Sequence, residues 1–586
     1  MSGLPGNRNA VWDRVLADTL HAHGIRRIVL CPGGRNGLLA MTLHRTPGIE
    51  CLFHVDERSA GFLALGTILA DGRPAAVCTT SGSAVINLLP AMAEAEARGL
   101  PLILLTCDRP VSGRMPGEPQ TLPQQALCAP LARVQLALPD PLDGSMTLPA
   151  MRDALEEALA EGIAGTRTGP VHINIPQWGD YCATEDDPAS LPPLEARPGR
   201  AWQPRLASAS GVRDAIGELG LSKARRGLIL AGQDLPISPS EVAALASATG
   251  FPVIADICSG LRHHAPPGLL TTADALAEAG VAGIEDADLL VRLGGAPVSP
   301  GLIKAVKRFD GPVLHLARHD PGGDFLTPSA IGLPPPGADA LALLGASLGQ
   351  AAPEWQETWQ AREAMAGAVR DIMIDAVEWG ELAAAAQVVR ASGFGALHCA
   401  NSMSVRLAGL LAGRGDGPAR IFSARGVNGT DGTLGLVLGE ALAANAPILA
   451  LVGDQAFTHD LPALANPLWH EVRGAICVMN NAGGGLFDLT AARRIEGYAA
   501  TMRNPPAIDF GGIARSFGFD HRRCGNRQAL AEALGEATGA SRLLLIEMAV
   551  PPGTPVRDLP RLISAMGSSA LAVRQEPVCS NTVPAA

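Results

Sequence analysis

The feature that most restricts how this chain can fold is a regular alternation, from Trp12 onward, of short uninterrupted apolar runs with longer amphipathic stretches. Runs such as RRIVLCPGG, AAVCTTSGS, LPLILLTCDRP and GPVHINIP lack the polar alternation of a half-exposed strand. Both faces of such strands must be covered, which is the condition of a parallel sheet sandwiched by helices. The pattern returns in RRGLILAGQD, FPVIADICSG, ADLLVRLGG and GPVLHLARHD, and again in FGALHCANS, ARIFSARG, PILALVGDQ, GAICVMNNAGGG and SRLLLIEMAV. The expectation is an α/β protein of three consecutive doubly wound domains with mostly parallel sheets. A chain of 586 residues is in any case too long for one core. The expected boundaries are 1–185, 205–340 and 360–570, with a linker in EDDPASLPPLEARPGRAWQP and a break at GLPPPGAD. A helical stretch from about Pro353 to Ala391 leads into the third unit, and 571–586 reads as a flexible tail.

Composition narrows the function classes. The net charge of -11 gives no summed attraction to nucleic acid or to an anionic membrane. No stretch approaches twenty uncharged apolar residues, and the start MSGLPGNRNAVWDRVLADTL has no uninterrupted apolar region, so the expected location is cytoplasmic. The 11 cysteines show neither CxxC nor Cys/His ligand spacing, which speaks against zinc and against a disulfide framework. The middle unit lacks GxGxxG after its first strand, so a nicotinamide or flavin site has weak support and the unit reads as mainly structural.

In open α/β sheets ligands sit outside the carboxyl ends of the strands, so the residues just after each apolar run are the candidates for chemistry. One run of the third unit ends in Gly453 and Asp454, and the next ends in Asn480 and Asn481, followed by Gly483 to Gly485. A carboxylate, an amide oxygen and a loop carbonyl suit a hard divalent cation, Mg²⁺ or Mn²⁺, completed by phosphate oxygens and water. The glycines let backbone approach a diphosphate. Alone, either pair is an ordinary turn or helix cap; together they point to a metal. Arg35, Arg109, Arg406 and Arg425 all follow strands, and Ser402 and Arg406 share a helix face at i and i+4. Any one of these arginines is an ordinary ion-pair partner, but four at strand ends of an acidic protein suggest anionic substrates, because a guanidinium fork matches a carboxylate.

Gly453-Asp454 and Asn480-Asn481, at their spacing, resemble the metal and diphosphate motif of thiamine diphosphate enzymes. That resemblance implies metal binding by Asp454, Asn481 and the carbonyl of Gly483, with active sites between subunits of a homodimer or homotetramer. It also implies that Glu57, in HVDERSAGFLALG, hydrogen-bonds the pyrimidine ring of a cofactor held by a neighbouring chain. CPGGRNGLL, TTSGSAVINLLPA, LTCDRP, NSMSVR and SARGVNGTDG extend the resemblance over almost the whole chain. They are similar to the 2-succinyl-5-enolpyruvyl-6-hydroxy-3-cyclohexene-1-carboxylate synthases of menaquinone biosynthesis, which decarboxylate 2-oxoglutarate and add the succinyl unit to isochorismate. By that match Ser81 and Gly82 join the cofactor contacts, Ser402, Arg406 and Arg425 face the donor, and Arg35, Arg109 and Gln120 face the acceptor.

The acceptor side departs from the family pattern: VSPGLIK places Pro300 and Gly301 where basic residues are usual, with Lys304 nearby in a different register. Gly34, Pro119, Thr430 and Ala482 are further departures. Three alternatives therefore stand beside the synthase: a relative with another acceptor, a simple 2-oxo acid decarboxylase, and a non-catalytic cofactor-binding regulatory subunit.

Overall fold

Each of the three groups of apolar runs builds one six-stranded sheet in a computed structural model that describes residues 8–115, 117–140, 145–165, 167–177, 206–220, 224–318 and 323–573. The first contains β1 (Arg27–Leu30), β2 (Glu50–Phe53), β3 (Ala75–Thr79), β4 (Leu102–Asp108), β5 (Val134–Ala137) and β6 (Val171–Pro176). The second contains β7 (Gly227–Ala231), β8 (Val253–Ala255), β9 (Leu269–Leu270), β10 (Leu289–Leu293), β11 (Val313–Leu316) and β12 (Ile331–Leu333). The third contains β13 (Ala396–Cys399), β14 (Arg420–Phe422), β15 (Ile448–Gly453), β16 (Gly474–Asn480), β17 (Asp520–Cys524) and β18 (Leu543–Ala549). Every paired neighbour is parallel.

The strand orders are β2-β1-β3-β4-β6-β5, β12-β11-β10-β7-β8-β9 and β14-β13-β15-β16-β18-β17. The outer two are the same topology, whereas the middle follows the order of dinucleotide-binding sheets without their glycine fingerprint. All seven residues of β4 are buried, as a strand covered on both faces requires.

The first and third sheets share one apolar core, in which Phe62 and Leu63 pack with Leu434 and Val437. Its centre is a crossing of two topologically equivalent helices, Glu57–Asp71 after β2 and Thr433–Ala444 after β14. A Cβ on Gly66 would lie 2.3 Å from the Leu436 carbonyl oxygen, and one on Gly439 would lie 2.1 Å from that of Leu63. Any side chain at either position would force the helices apart, so these two glycines set their closeness.

The helical stretch expected from Pro353 to Ala391 is two helices, Pro353–Ala376 and Glu381–Val389. The break has a tertiary cause: Trp379 Nε1 donates to the Ala549 carbonyl (2.9 Å) and the Glu381 amide donates to Thr554 Oγ1 (3.1 Å). The last helix, Thr554–Ala572, runs to the beginning of the expected tail. The remainder of that tail, 574–586, and the expected linker lie outside the described residues. Among the described residues the nine cysteines are all free, and no helix is long and apolar enough to cross a membrane.

Candidate active site

The carboxyl ends of β15 and β16 meet at one cavity of about 410 Å³. Asp454 opens the short helix Asp454–His459 and is 1% exposed. Its Oδ1 accepts from the Gln455 amide (2.7 Å) and its Oδ2 from the Gly483 amide (2.8 Å). Burial raises its pKa, and these N–H groups hold it down. Asn481 donates from Nδ2 to Glu381 Oε1 (2.8 Å), which turns its Oδ1 away from that carboxyl group. Burial pushes Glu381 up to about 7.

Glycine is required at position 483, where φ is +105° and a Cβ would lie 2.1 Å from the Arg503 carbonyl oxygen. Arg503 holds this loop from outside. Its guanidinium donates to the carbonyls of Asn481 and Ala482 and pairs with Asp488, while its own carbonyl accepts from the Gly484 amide (2.7 Å) and from Gln455 Nε2 (2.7 Å). Ala482 sits at φ +61°, in the left-handed region, although it is not a glycine.

The candidate donor contacts line the same cavity. Ser402 precedes the helix Met403–Leu411 at φ +70° and ψ −126°, a region almost reserved for glycine, where strain is stored chiefly at functional sites. Arg406 Nη1 donates to the Ser402 carbonyl (2.6 Å), and Arg425 Nη1 donates to Asn401 Oδ1 (2.8 Å). Burial and the neighbouring Arg425 lower the pKa of Arg406. Ser402, Arg406, Arg425, Gly453, Asp454, Asn481 and Gly483 thus surround a single space.

The candidates of the first unit gather elsewhere. Arg35 Nε donates to Ser81 Oγ (3.2 Å), the Gly82 amide donates to Gln124 Oε1 (3.1 Å), and a Cβ on Gly82 would stand 3.2 Å from the Cα of Gln120. Gln120 itself has φ +54°. Arg109, just past β4, is paired with Glu118 (3.1 Å). Glu57 begins its helix half-buried, and its charge adds to burial in raising the Cys31 thiol. None of these residues lines the 410 Å³ cavity, whose walls, among the described residues, come from the third unit. One chain therefore holds two separate groups.

A second cavity, of about 960 Å³, lies between the middle and third units and shares Met403, Arg406 and Leu486 with the first. Pro300 and Lys304 line it. The missing side chain at Gly301 has a steric reason, since a Cβ there would lie 2.6 Å from the Glu278 amide nitrogen. Glu278 accepts from the Gly301 amide (2.8 Å) and from Ser299 Oγ (3.1 Å), filling that helix start with a carboxyl group.

Sequence reading missed Glu381, Gln455 and Arg503. Each joins the loop from another part of the chain, and WGEL or TMRN carries no local mark of that role. Among the described residues no three His, Cys, Asp or Glu side chains form a metal cluster, so a cation here depends on amide and carbonyl oxygens beside Asp454. The donor set fits a hard cation bearing a diphosphate. Asp454 is buried with both carboxyl oxygens accepting from backbone N–H groups, the Asn481 amide oxygen faces away from Glu381, Gly453 opens on free space, and the Gly483 carbonyl, which accepts from the Gly485 amide (2.7 Å), retains a lone pair.

Comparison with known proteins shows the family. Residues 12–127 match the thiamine pyrophosphate enzyme N-terminal TPP binding domain, and residues 413–548 match the C-terminal TPP binding domain. The chain is 32% identical to the 2-succinyl-5-enolpyruvyl-6-hydroxy-3-cyclohexene-1-carboxylate synthase of Geobacillus kaustophilus, over 94% of this chain and 96% of that one. It is also 32% identical to the synthase of Chloroflexus aurantiacus, with 96% and 97% covered, and to that of Halorhodospira halophila, with 95% and 98% covered. With both cofactor-binding domains matched and relatives covered nearly end to end, the chain belongs to the thiamine pyrophosphate-dependent enzymes, in the family of the 2-succinyl-5-enolpyruvyl-6-hydroxy-3-cyclohexene-1-carboxylate synthases.

Proposed function

We propose that this enzyme decarboxylates 2-oxoglutarate and transfers the succinyl unit to a carboxylate-bearing acceptor, which in the menaquinone pathway is isochorismate. The observation that carries this reading is the single cavity lined by Arg406 and Arg425 together with Asp454 and Asn481. When bound, thiamine diphosphate supplies the carbon nucleophile and the electron sink for decarboxylation. Asp454, the Asn481 amide oxygen and the Gly483 carbonyl would hold Mg²⁺ against its diphosphate. Gly453, Ser81 and Gly82 allow the cofactor's close approach from the two units.

Glu57 would hydrogen-bond the pyrimidine ring, and because it does not line the cavity of its own chain, a partner subunit would supply it. The domains then divide the work, with 1–185 binding the pyrimidine, 205–340 bridging, and 360–570 binding diphosphate and metal. Ser402 and Arg406 orient the donor's distal carboxylate, and Arg425 neutralises charge beside it. Arg35, Arg109 and Gln120 orient the acceptor. A cytoplasmic homodimer or homotetramer is the simplest assembly that completes both groups.

A second reading, an acceptor other than isochorismate, is favoured by the seat at Gly301, where Glu278 occupies the helix start. One incubation separates the readings. Purified protein with Mg²⁺, thiamine diphosphate and 2-oxoglutarate should release CO₂, and mass spectrometry with isochorismate present should find the adduct. CO₂ release with isochorismate untouched would select the second reading, and no CO₂ from 2-oxoglutarate or pyruvate would remove both.

A further inference from the structure

Among the described residues lining the 410 Å³ cavity, Glu381 and Asp454 are the two carboxyl groups; Glu381 is 1% exposed, at the first position of the helix Glu381–Val389. Its Oε1 accepts from Asn481 Nδ2 at 2.8 Å, and its Oε2 is buried without a hydrogen-bond partner among the described residues. Burying a carboxyl group on one hydrogen bond is costly, so its retention calls for a compensating use. The backbone under it is rigid, because the Glu381 amide is tied to Thr554 Oγ1 (3.1 Å).

Asn481 explains what that use is. Arg503 fixes its backbone carbonyl, but nothing in that contact decides which end of the side-chain amide faces the cavity. In the observed geometry Glu381 Oε1 is the acceptor, and an ionised carboxyl group can only accept, so in that form it demands the NH₂ end and leaves the Asn481 oxygen free for the other side. The loop makes room for this pair: a Cβ on Gly485 would lie 2.6 Å from Asn481 Nδ2 and 3.3 Å from Glu381 Oε1. The third glycine of the AGGG run is thereby explained by the Asn481–Glu381 contact, and need not serve the diphosphate.

We propose that Glu381 is a positioning residue that locks the Asn481 amide with its oxygen, and not its NH₂, presented to the cation site. This inference rests on the reading of Asp454 and Asn481 as metal ligands. A flipped amide would aim two N–H dipoles at the cation and remove one oxygen from its shell, and loss of such an orienting partner typically weakens metal binding 10–100-fold.

Two near-isosteric variants test it. Glu381→Met keeps the volume and cannot accept a hydrogen bond, whereas Glu381→Gln can still accept through its carbonyl. Mg²⁺ is titrated calorimetrically into each full-length protein with thiamine diphosphate present, and thermal unfolding is followed without metal. The expected result is a Kd for Mg²⁺ raised about 10–100-fold in Glu381→Met and within about threefold of the native value in Glu381→Gln. The metal-free Tm of Glu381→Met should be unchanged or higher, since a buried carboxyl group has been removed, whereas a merely structural role would lower it. Native-like Mg²⁺ affinity in Glu381→Met, or equal weakening in both variants, would overturn the inference while leaving the metal reading intact. Failure of the native protein to bind Mg²⁺ would overturn the metal reading and this inference with it.

Discussion

The first and third sheets have one strand order and opposite equipment. At the end of β4 stands Asp108, which accepts from Arg114 and from Asn174 Nδ2 (3.0 Å) and is neutralised within its own unit. The third unit's Asp454, past the equivalent of β3, is held by backbone N–H groups. Beside Asp108 the first unit offers arginine and glutamine side chains; beside Asp454 the third offers amide and carbonyl oxygens. Strand order therefore determines where a site can be, at the carboxyl ends, while the few residues past each strand decide which polar groups it presents. The shared helix crossing at Gly66 and Gly439 then binds the two kinds of site into one body.

The largest expected effect separates the two units by role. Glu57→Gln should lower CO₂ release from 2-oxoglutarate about 10²–10⁴-fold while leaving Mg²⁺ binding unchanged in calorimetry. Asp454→Ala should do the reverse in binding, abolishing the Mg²⁺ heat. If Glu57→Gln loses the metal instead, the division between units collapses.

Next in size is the donor-acceptor split. Arg406→Ala removes a charge-assisted contact of about 1.5–3 kcal/mol and should raise the KM for 2-oxoglutarate about 10- to 100-fold. Arg35→Ala should leave CO₂ release from 2-oxoglutarate alone unaffected and reduce only adduct formation. Equal donor effects from both would show that the first unit's arginines also serve the donor.

A smaller effect tests the joint. Gly439→Val drives a side chain into the Leu63 carbonyl and should cost about 1–3 kcal/mol of stability, read as a lowered Tm. An unchanged Tm would mean that the helices do not depend on this close approach.

The smallest is confined to the first unit. Asp13 is buried, with its carboxyl bonded to Gln177 Nε2 (2.7 Å), and burial pushes its pKa up to about 8 from 3.8. The folded chain thus retains a proton that the unfolded chain releases. Its contribution to stability is full below about pH 4 and is lost as pH rises towards 8. Asp13→Asn should therefore gain Tm over the native protein as pH rises from 4 to 8, by roughly 2–4 °C per kcal/mol of penalty relieved. A gain that is constant across this range would refute the assignment.

Sequence by itself determined the central strands and the residues standing at their ends. The expected apolar runs coincide with β1, β3, β4 and β6, with β7, β8, β10 and β11, and with β13 to β16 and β18. The strands without such a run, β2, β5, β9, β12 and β17, all lie at sheet edges. An edge strand such as β5 or β17 is partly exposed, so its residues need not be apolar and leave no continuous run to read. The metal candidates were legible for the same reason as the central strands, because Asp454 and Asn481 directly follow buried runs.

Only the tertiary structure could decide the rest. It separated the candidates of the first unit from those of the third, broke the helix at Val377 to Gly380, closed the Gly301 position against Glu278, and brought Glu381 and Arg503 onto the Asn481 loop. A buried run reports its own solvent exclusion residue by residue. A contact between Asn481 and a side chain 100 positions earlier depends on how whole sheets and helices dock, and that leaves no local trace.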